Sequence, residues 1–148
     1  MINKFDELKF NNNINNNKEL IFNDGKYIGQ VINDKAEGKG IFYGYNGDRY
    51  EGEFRNNKLD GKGIIYYADN GDRYDGEWRN GKFEGKGIYY YAKSGNRYEG
   101  EWRNGNKEGK GIYYYANGDR IMGDYLNDNP IGKHVRLTRN WEVKIENF

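Results

Sequence analysis

Apolar and polar positions alternate in short bursts along this chain. In Tyr74-Asp75-Gly76-Glu77-Trp78, residues Tyr74, Gly76 and Trp78 fall on one face, while Arg73, Asp75, Glu77 and Arg79 fall on the other. A period of two is the mark of a β-strand with two unlike faces. The stretch Asn80-Gly81-Lys82-Phe83-Glu84 reads as a turn, because Asn-Gly tolerates positive φ. A second strand is predicted from Gly85 to Tyr91, with Gly85, Gly87, Tyr89 and Tyr91 on one face and Lys86, Ile88 and Tyr90 on the other. The turn Lys93-Ser94-Gly95-Asn96 then returns the chain. The unit is a β-hairpin.

The same unit recurs. Tyr50-Glu51-Gly52-Glu53-Phe54-Arg55-Asn56 and Tyr98-Glu99-Gly100-Glu101-Trp102-Arg103-Asn104 repeat the first strand, and Tyr27, Tyr50, Tyr74, Tyr98 and Ile121 share one slot at spacings of 23, 24, 24 and 23 residues. A Gly-Lys-Gly-Ile block follows at Gly38, Gly61, Gly85 and Gly109, and a Gly-Asp-Arg-like turn closes each unit at Gly47, Gly71, Gly95 and Gly118. Repeats of this length signal an array in which each unit touches only its neighbours. The reading is an all-β, antiparallel β-hairpin solenoid: an elongated single twisted sheet with four full units and a degraded fifth over residues 21–138. At about 4.8 Å per strand, each repeat advances roughly 10 Å and the rod is about 45 Å long. In the fifth unit Ile121 replaces the tyrosine, Pro130 enters the hairpin turn and His134 takes a glycine slot. Residues 1–20 form an Asn-rich, low-complexity segment. Residues 139–148 read as a capping strand, alternating from Arg139 to Ile145.

Composition sharpens this picture. Only 35% of residues are hydrophobic, yet 17% are aromatic, with 22 glycines and 15 tyrosines. Glycine inside a strand often marks close approach of another group. The expected core is therefore ring over glycine, carried by Tyr50, Gly52, Tyr74, Gly76, Trp78, Gly85, Gly87, Tyr98, Gly100, Trp102, Gly109 and Gly111. The chain has 24 basic and 23 acidic residues and a net charge of +1, so it lacks the basic footprint of a nucleic-acid binder. Without cysteine it has no disulfide framework and no thiolate metal site. Ser94, Thr138 and His134 are the only residues of their kinds, which leaves no nucleophile–base set and no metal-ligand cluster. Ser94 stands where other units carry Asn46, Asn70 and Asn117, one turn-former for another. Every candidate carboxylate recurs in several copies at equivalent positions, whereas a catalytic pair is singular. No catalytic residue, cofactor, metal or small-molecule substrate is expected. No apolar run reaches the length of a membrane span, and the cytoplasm is the default compartment.

Tyr-x-Gly-x-Trp, a short turn, Gly-x-Gly and a closing Gly-Asp-x-Tyr together resemble the MORN (membrane occupation and recognition nexus) repeat. The resemblance is close over residues 27–125 and weakens in the first unit, with Val31 in the Trp slot and Gly44 in a Tyr slot. It implies a non-catalytic scaffolding or protein-interaction module of a larger assembly, of the axonemal (radial-spoke-like) or cytoskeletal kind. Tyr66, Tyr90 and Tyr114 alternate with the interior rings and, with Trp141, are the candidate partner-binding residues; completing the second face of the sheet is the competing role for the tyrosines. The alternative is peripheral binding to anionic phospholipid through the column Lys39, Lys62, Lys86 and Lys110, helped by Lys133, His134, Arg136 and Arg139. A second column is Arg49, Arg73, Arg97 and Arg120, expected to be neutralised by ion pairing with Glu51, Asp75 and Glu99, which stand two residues on from the first three.

Overall fold

The computed structural model describes residues 17–148. Its strands are β1 (Lys18–Phe22), β2 (Gly25–Ile32), β3 (Lys35–Gly44), β4 (Arg49–Arg55), β5 (Lys58–Tyr66) and β6 (Arg73–Arg79). They continue as β7 (Lys82–Tyr91), β8 (Asn96–Arg103), β9 (Asn106–Tyr114), β10 (Arg120–Leu126), β11 (Asn129–Leu137) and β12 (Val143–Asn147). Each strand pairs antiparallel with the next, and all twelve form one open sheet in sequence order. The fold is the expected hairpin solenoid. The Asn-rich segment lies mostly outside the described residues, and its last residues, Lys18 to Leu20, open β1.

The hairpin turns are tighter than the five-residue turn expected between β6 and β7. Only Asn80 and Gly81 turn, with φ of 50° and 79°. Two consecutive positive φ values belong to the two-residue turn whose twist matches that of the flanking strands. Lys82 to Glu84 already run in β7. Phe83 thereby reaches the core and stacks on Tyr74 at 3.8 Å and 16°. The ladder then slips between Gly76 and Glu77, where Gly85 lies in a bulge at φ 62°. That bulge overturns one expected face. A β-carbon on Gly85 would lie 2.7 Å from Glu77 Oε2 on the polar side, not under a ring. Glu77 Oε1 accepts a hydrogen bond from the Lys86 amide at 3.2 Å, so the side chain holds the bulge closed. Gly109 sits the same way, at φ 66° against Glu101.

On the other face the rings do lie over glycine. A β-carbon on Gly87 would come within 2.6 Å of the Tyr74 ring, and one on Gly76 within 2.5 Å of its hydroxyl oxygen. Tyr98 covers Gly100 and Gly111 in the same manner, and Tyr50 covers Gly52 and Gly63. Each tyrosine hydroxyl donates to a backbone carbonyl three residues on: Tyr27 to Gln30 at 2.8 Å, Tyr50 to Glu53 at 3.1 Å, Tyr74 to Glu77 at 3.0 Å and Tyr98 to Glu101 at 3.4 Å. The buried phenol is thus satisfied at its polar end, as burial demands. Each ring also meets the large ring of the next unit edge to face, as in Tyr50–Trp78 (5.2 Å, 84°) and Tyr74–Trp102 (5.3 Å, 86°). The indoles reach back one unit, Trp78 Nε1 donating to the Gly63 carbonyl and Trp102 Nε1 to that of Gly87, both at 3.1 Å. This is the core of a sheet that has no second layer.

Both rims are laced by side chains. At one rim Asp48, Asp72, Asn96 and Asp119 accept from the amides of Ala68, Ala92, Ala116 and Arg139, each at 2.9 Å. At the hairpin rim Glu37, Asp60, Glu84 and Glu108 accept from the amides of Asn56, Asn80, Asn104 and Asn127, at 2.9–3.3 Å. Every bond crosses about one repeat, so each unit is tied to the next at both ends.

Candidate interaction face

With the rings packed on one face, the chemistry left to a partner lies on the other, called here the open face. Three rows run along it, perpendicular to the strands. The first alternates tyrosine and arginine through cross-strand partners: Tyr43–Arg49, Tyr66–Arg73 and Tyr90–Arg97. The second alternates isoleucine with acid, Glu51–Ile64, Asp75–Ile88 and Glu99–Ile112. The third alternates lysine with acid, Lys39–Glu53, Lys62–Glu77, Lys86–Glu101 and Lys110–Asp124.

The first row differs from the expected ion pairing. Arg49 does pair with Glu51, Nη2 to Oε2 at 2.6 Å; burial pulls its guanidinium pKa down most strongly, and Glu51 and Tyr43 together more than offset it, leaving the pKa above the usual value. The Arg73 guanidinium instead lies 4.1 Å from the ring centroid of Tyr90, and that of Arg97 3.7 Å from Tyr114. Arg49 stands 5.6 Å from Tyr66, and Arg120 5.9 Å from Trp141. A cation at these distances is attracted by the ring quadrupole, by about 0.5–1 kcal/mol at exposed sites. Arginine stacks well in this way because its plane is weakly hydrated. The four candidates therefore occur together in one Arg-aromatic ladder. Tyr66 is exposed, Tyr90 and Tyr114 are half-buried under their arginines, and Trp141 is 74% exposed in the turn before β12.

The four candidate lysines are also on this face and exposed, each opposite a carboxylate. Two of the additional basic candidates, His134 and Arg136, are otherwise engaged. His134 is fully buried, its ring edge-to-face between Tyr125 (5.4 Å) and Phe148 (4.9 Å). Arg136 pairs with Asp119 at 2.9 Å and Glu146 at 3.3 Å. Lys133 and Arg139 stay exposed, Asp119 binding only the backbone amide of Arg139. His134 also explains the fifth unit. Where Ile121 removes the tyrosine ring, the imidazole in the glycine slot covers Gly123 in its place. The ring comes from β11 instead of β10.

Towards the C-terminal half the rows enclose a trough of about 750 Å³, lined by residues that include Lys86, Ile88, Glu99, Lys110, Ile112 and Met122. Lys107 is another residue that the sequence reading passed over. It occupies, opposite Trp102, the slot that Phe83 fills opposite Trp78. Its ammonium lies 5.1–5.7 Å from the ring centroids of Tyr91, Tyr98 and Tyr113, and burial lowers its pKa. The signal was present as a lysine in an otherwise apolar column. Among the described residues no cluster of His, Cys, Asp and Glu is arranged to hold a metal ion.

Four consecutive stretches, residues 27–49, 50–72, 74–95 and 98–120, match the MORN repeat. The chain belongs to the MORN-repeat family. Among curated proteins none matches it. Of solved structures, the TCP domain of Drosophila melanogaster SAS-4 (dCPAP), in complex with a proline-rich motif of Ana2 (dSTIL), is similar at TM-score 0.34 and 13% identity, over 89% of this chain and 90% of that one. The TCP10c domain of Drosophila melanogaster Sas-4 is similar at TM-score 0.37 and 15% identity, over 89% of this chain and 99% of that one.

Proposed function

We propose that this MORN array is a non-catalytic scaffold that binds a protein partner across its open face, within a larger cytoskeletal or axonemal assembly in the cytoplasm. The observation that carries the reading is the Arg-aromatic ladder of Tyr66, Tyr90, Tyr114 and Trp141, which leaves aromatic area and cationic donors on a face the fold does not need for its core. Tyrosine, tryptophan and arginine are the residues that dominate protein interfaces. The repeated carboxylates have a structural use in the rim bonds. Against the phospholipid alternative stands the register, which sets an acid across from Lys39, Lys62, Lys86 and Lys110 and keeps the face near neutrality.

The test replaces Tyr66, Tyr90 and Tyr114 together by Ser. Partner capture by the triple variant is expected to drop at least ten-fold while its melting temperature stays within a few degrees, because none of the three rings lies in the buried core. Vesicles carrying phosphoinositide are expected to bind wild type weakly in flotation. Tight, salt-sensitive vesicle binding lost in a Lys39, Lys62, Lys86 and Lys110 variant overturns the reading in favour of lipid.

A further inference from the structure

Among the described residues β12 is the outermost strand of the sheet, and its outer edge has a particular chemistry. Gly132 and Phe148 exchange two backbone hydrogen bonds, at 3.0 and 2.9 Å, and the Thr138 amide donates to the Glu142 carbonyl at 3.0 Å. Backbone direction alternates along an antiparallel pair. The even-numbered residues of β12 therefore turn their amides and carbonyls to β11, and Val143, Ile145 and Asn147 turn theirs outward, with no strand beyond among the described residues. Such an edge is a template for another strand.

The side chains of β12 read as their own complement. In an antiparallel pairing of β12 with a second β12, centred on Ile145, Ile145 meets its counterpart and Val143 meets Asn147. Lys144 then meets Glu146, twice by symmetry. The outward groups of Val143, Ile145 and Asn147 form the hydrogen-bonded pairs of that ladder, so the backbone phase and the charge pattern require the same register. On the open face beside this edge Val135, Trp141, Val143 and Ile145 are 37%, 74%, 65% and 59% exposed, an apolar patch that the second copy would continue. Pairing β12 with β1 at full overlap fits worse, since Glu146 would face Glu19.

We propose that two copies of this chain join β12 to β12 about a two-fold axis at Ile145, continuing one sheet across both. An interface of this isologous kind closes on itself and gives a dimer, not a fibre. It goes beyond the partner-binding reading and does not depend on it.

The test is the solution mass of the full chain over a concentration series, by sedimentation or light scattering, with melting curves for every variant. Wild type is expected to move from 17.4 kDa towards twice that mass as concentration rises. Ile145→Pro removes the outward amide and the exposed Ile145 side chain but no bond to β11, and is expected to remain monomeric with little change in melting. Lys144→Glu turns both cross-edge pairs repulsive and is expected to weaken the dimer roughly ten-fold. Adding Glu146→Lys restores complementarity and should restore the dimer, Arg136 keeping Asp119 as its partner. A wild-type monomer throughout the series overturns the proposal. So does growth beyond two copies, or a charge-swapped double variant no better than Lys144→Glu.

Discussion

At the scale of the residue, glycine and tyrosine act as a pair, and the structure separates three uses of glycine that look alike in the sequence. Gly87 is empty space for the Tyr74 ring, Gly85 is a backbone at φ 62° folded under Glu77, and Gly81 is a turn with nothing within 4 Å of its missing side chain. Gly87→Val drives two branches into the ring. It is expected to cost about 1–3 kcal/mol and to lower the melting temperature by roughly 3–10 °C. An unchanged melting curve would remove the ring-over-glycine core. The alternation around Tyr74 made Gly87 legible. It misplaced Gly85 because period-two counting presumes an unbroken strand, and the bulge shifts the phase. The phenols give a second test. Burial raises the pKa of Tyr27, Tyr91 and Tyr125 to about 12 from the ordinary value of 10.0. Raised values favour the protonated form in the folded state, so this stability is complete below about pH 10 and is lost as pH rises through about 12. Phenolate absorbance is expected to lag behind that of free tyrosine and to rise together with loss of the sheet.

At the scale of the element, the hairpins are short and joined by side chains as much as by strand pairing. Asp72 illustrates the device: Oδ1 takes the Ala92 amide at 2.9 Å, and Oδ2 takes the Tyr89 hydroxyl at 3.0 Å. Asp72→Ala leaves both donors without a partner and is expected to cost about 1–3 kcal/mol. Asp72→Asn keeps an acceptor, as Asn96 does for Ala116 in the next unit, and is expected to stay within about 1 kcal/mol by chemical denaturation. Asp119 makes the last of these ties. The Arg136 hydrogen bond, then the Arg139 amide, holds its carboxyl below the usual range. Because the folded value is depressed, its contribution is present above about pH 4 and fades as pH falls through the lowered value. On acidification, β11 and β12 are expected to lose amide protection before the central strands, and Asp119→Asn should flatten that dependence. If all strands lose protection together, the tie is not limiting. None of this was legible in the Gly-Asp-Arg turn, which reads as a turn signal alone. A partner twenty residues away becomes visible only once the register is known. In the degraded fifth unit, the link between the tyrosine lost at Ile121 and the ring gained at His134 was hidden for a related reason, since it shows only once the two strands are laid side by side.

At the scale of the whole molecule, one face makes the core and the other stays available. Eleven strand-to-strand steps of about 4.8 Å give a sheet roughly 50 Å long, and each unit contacts chiefly its neighbours. The repeat period and the turn residues made this architecture readable without coordinates, because a hairpin array encodes its topology locally. The open face was only half readable. Alternation placed Tyr66, Tyr90 and Tyr114 away from the interior rings, but it assigned the arginines to carboxylates two residues along. The structure shows Arg73 and Arg97 crossing to the neighbouring strand and lying over Tyr90 and Tyr114. The division of labour between faces is the central claim, and site-specific photo-cross-linking tests it most directly. A photoreactive phenylalanine is placed at Tyr90 on the open face or at Tyr91 on the ring face, and each version is irradiated in the native assembly. The account predicts protein adducts from position 90 and none above background from position 91. Adducts from position 91 with silence at position 90 would contradict it.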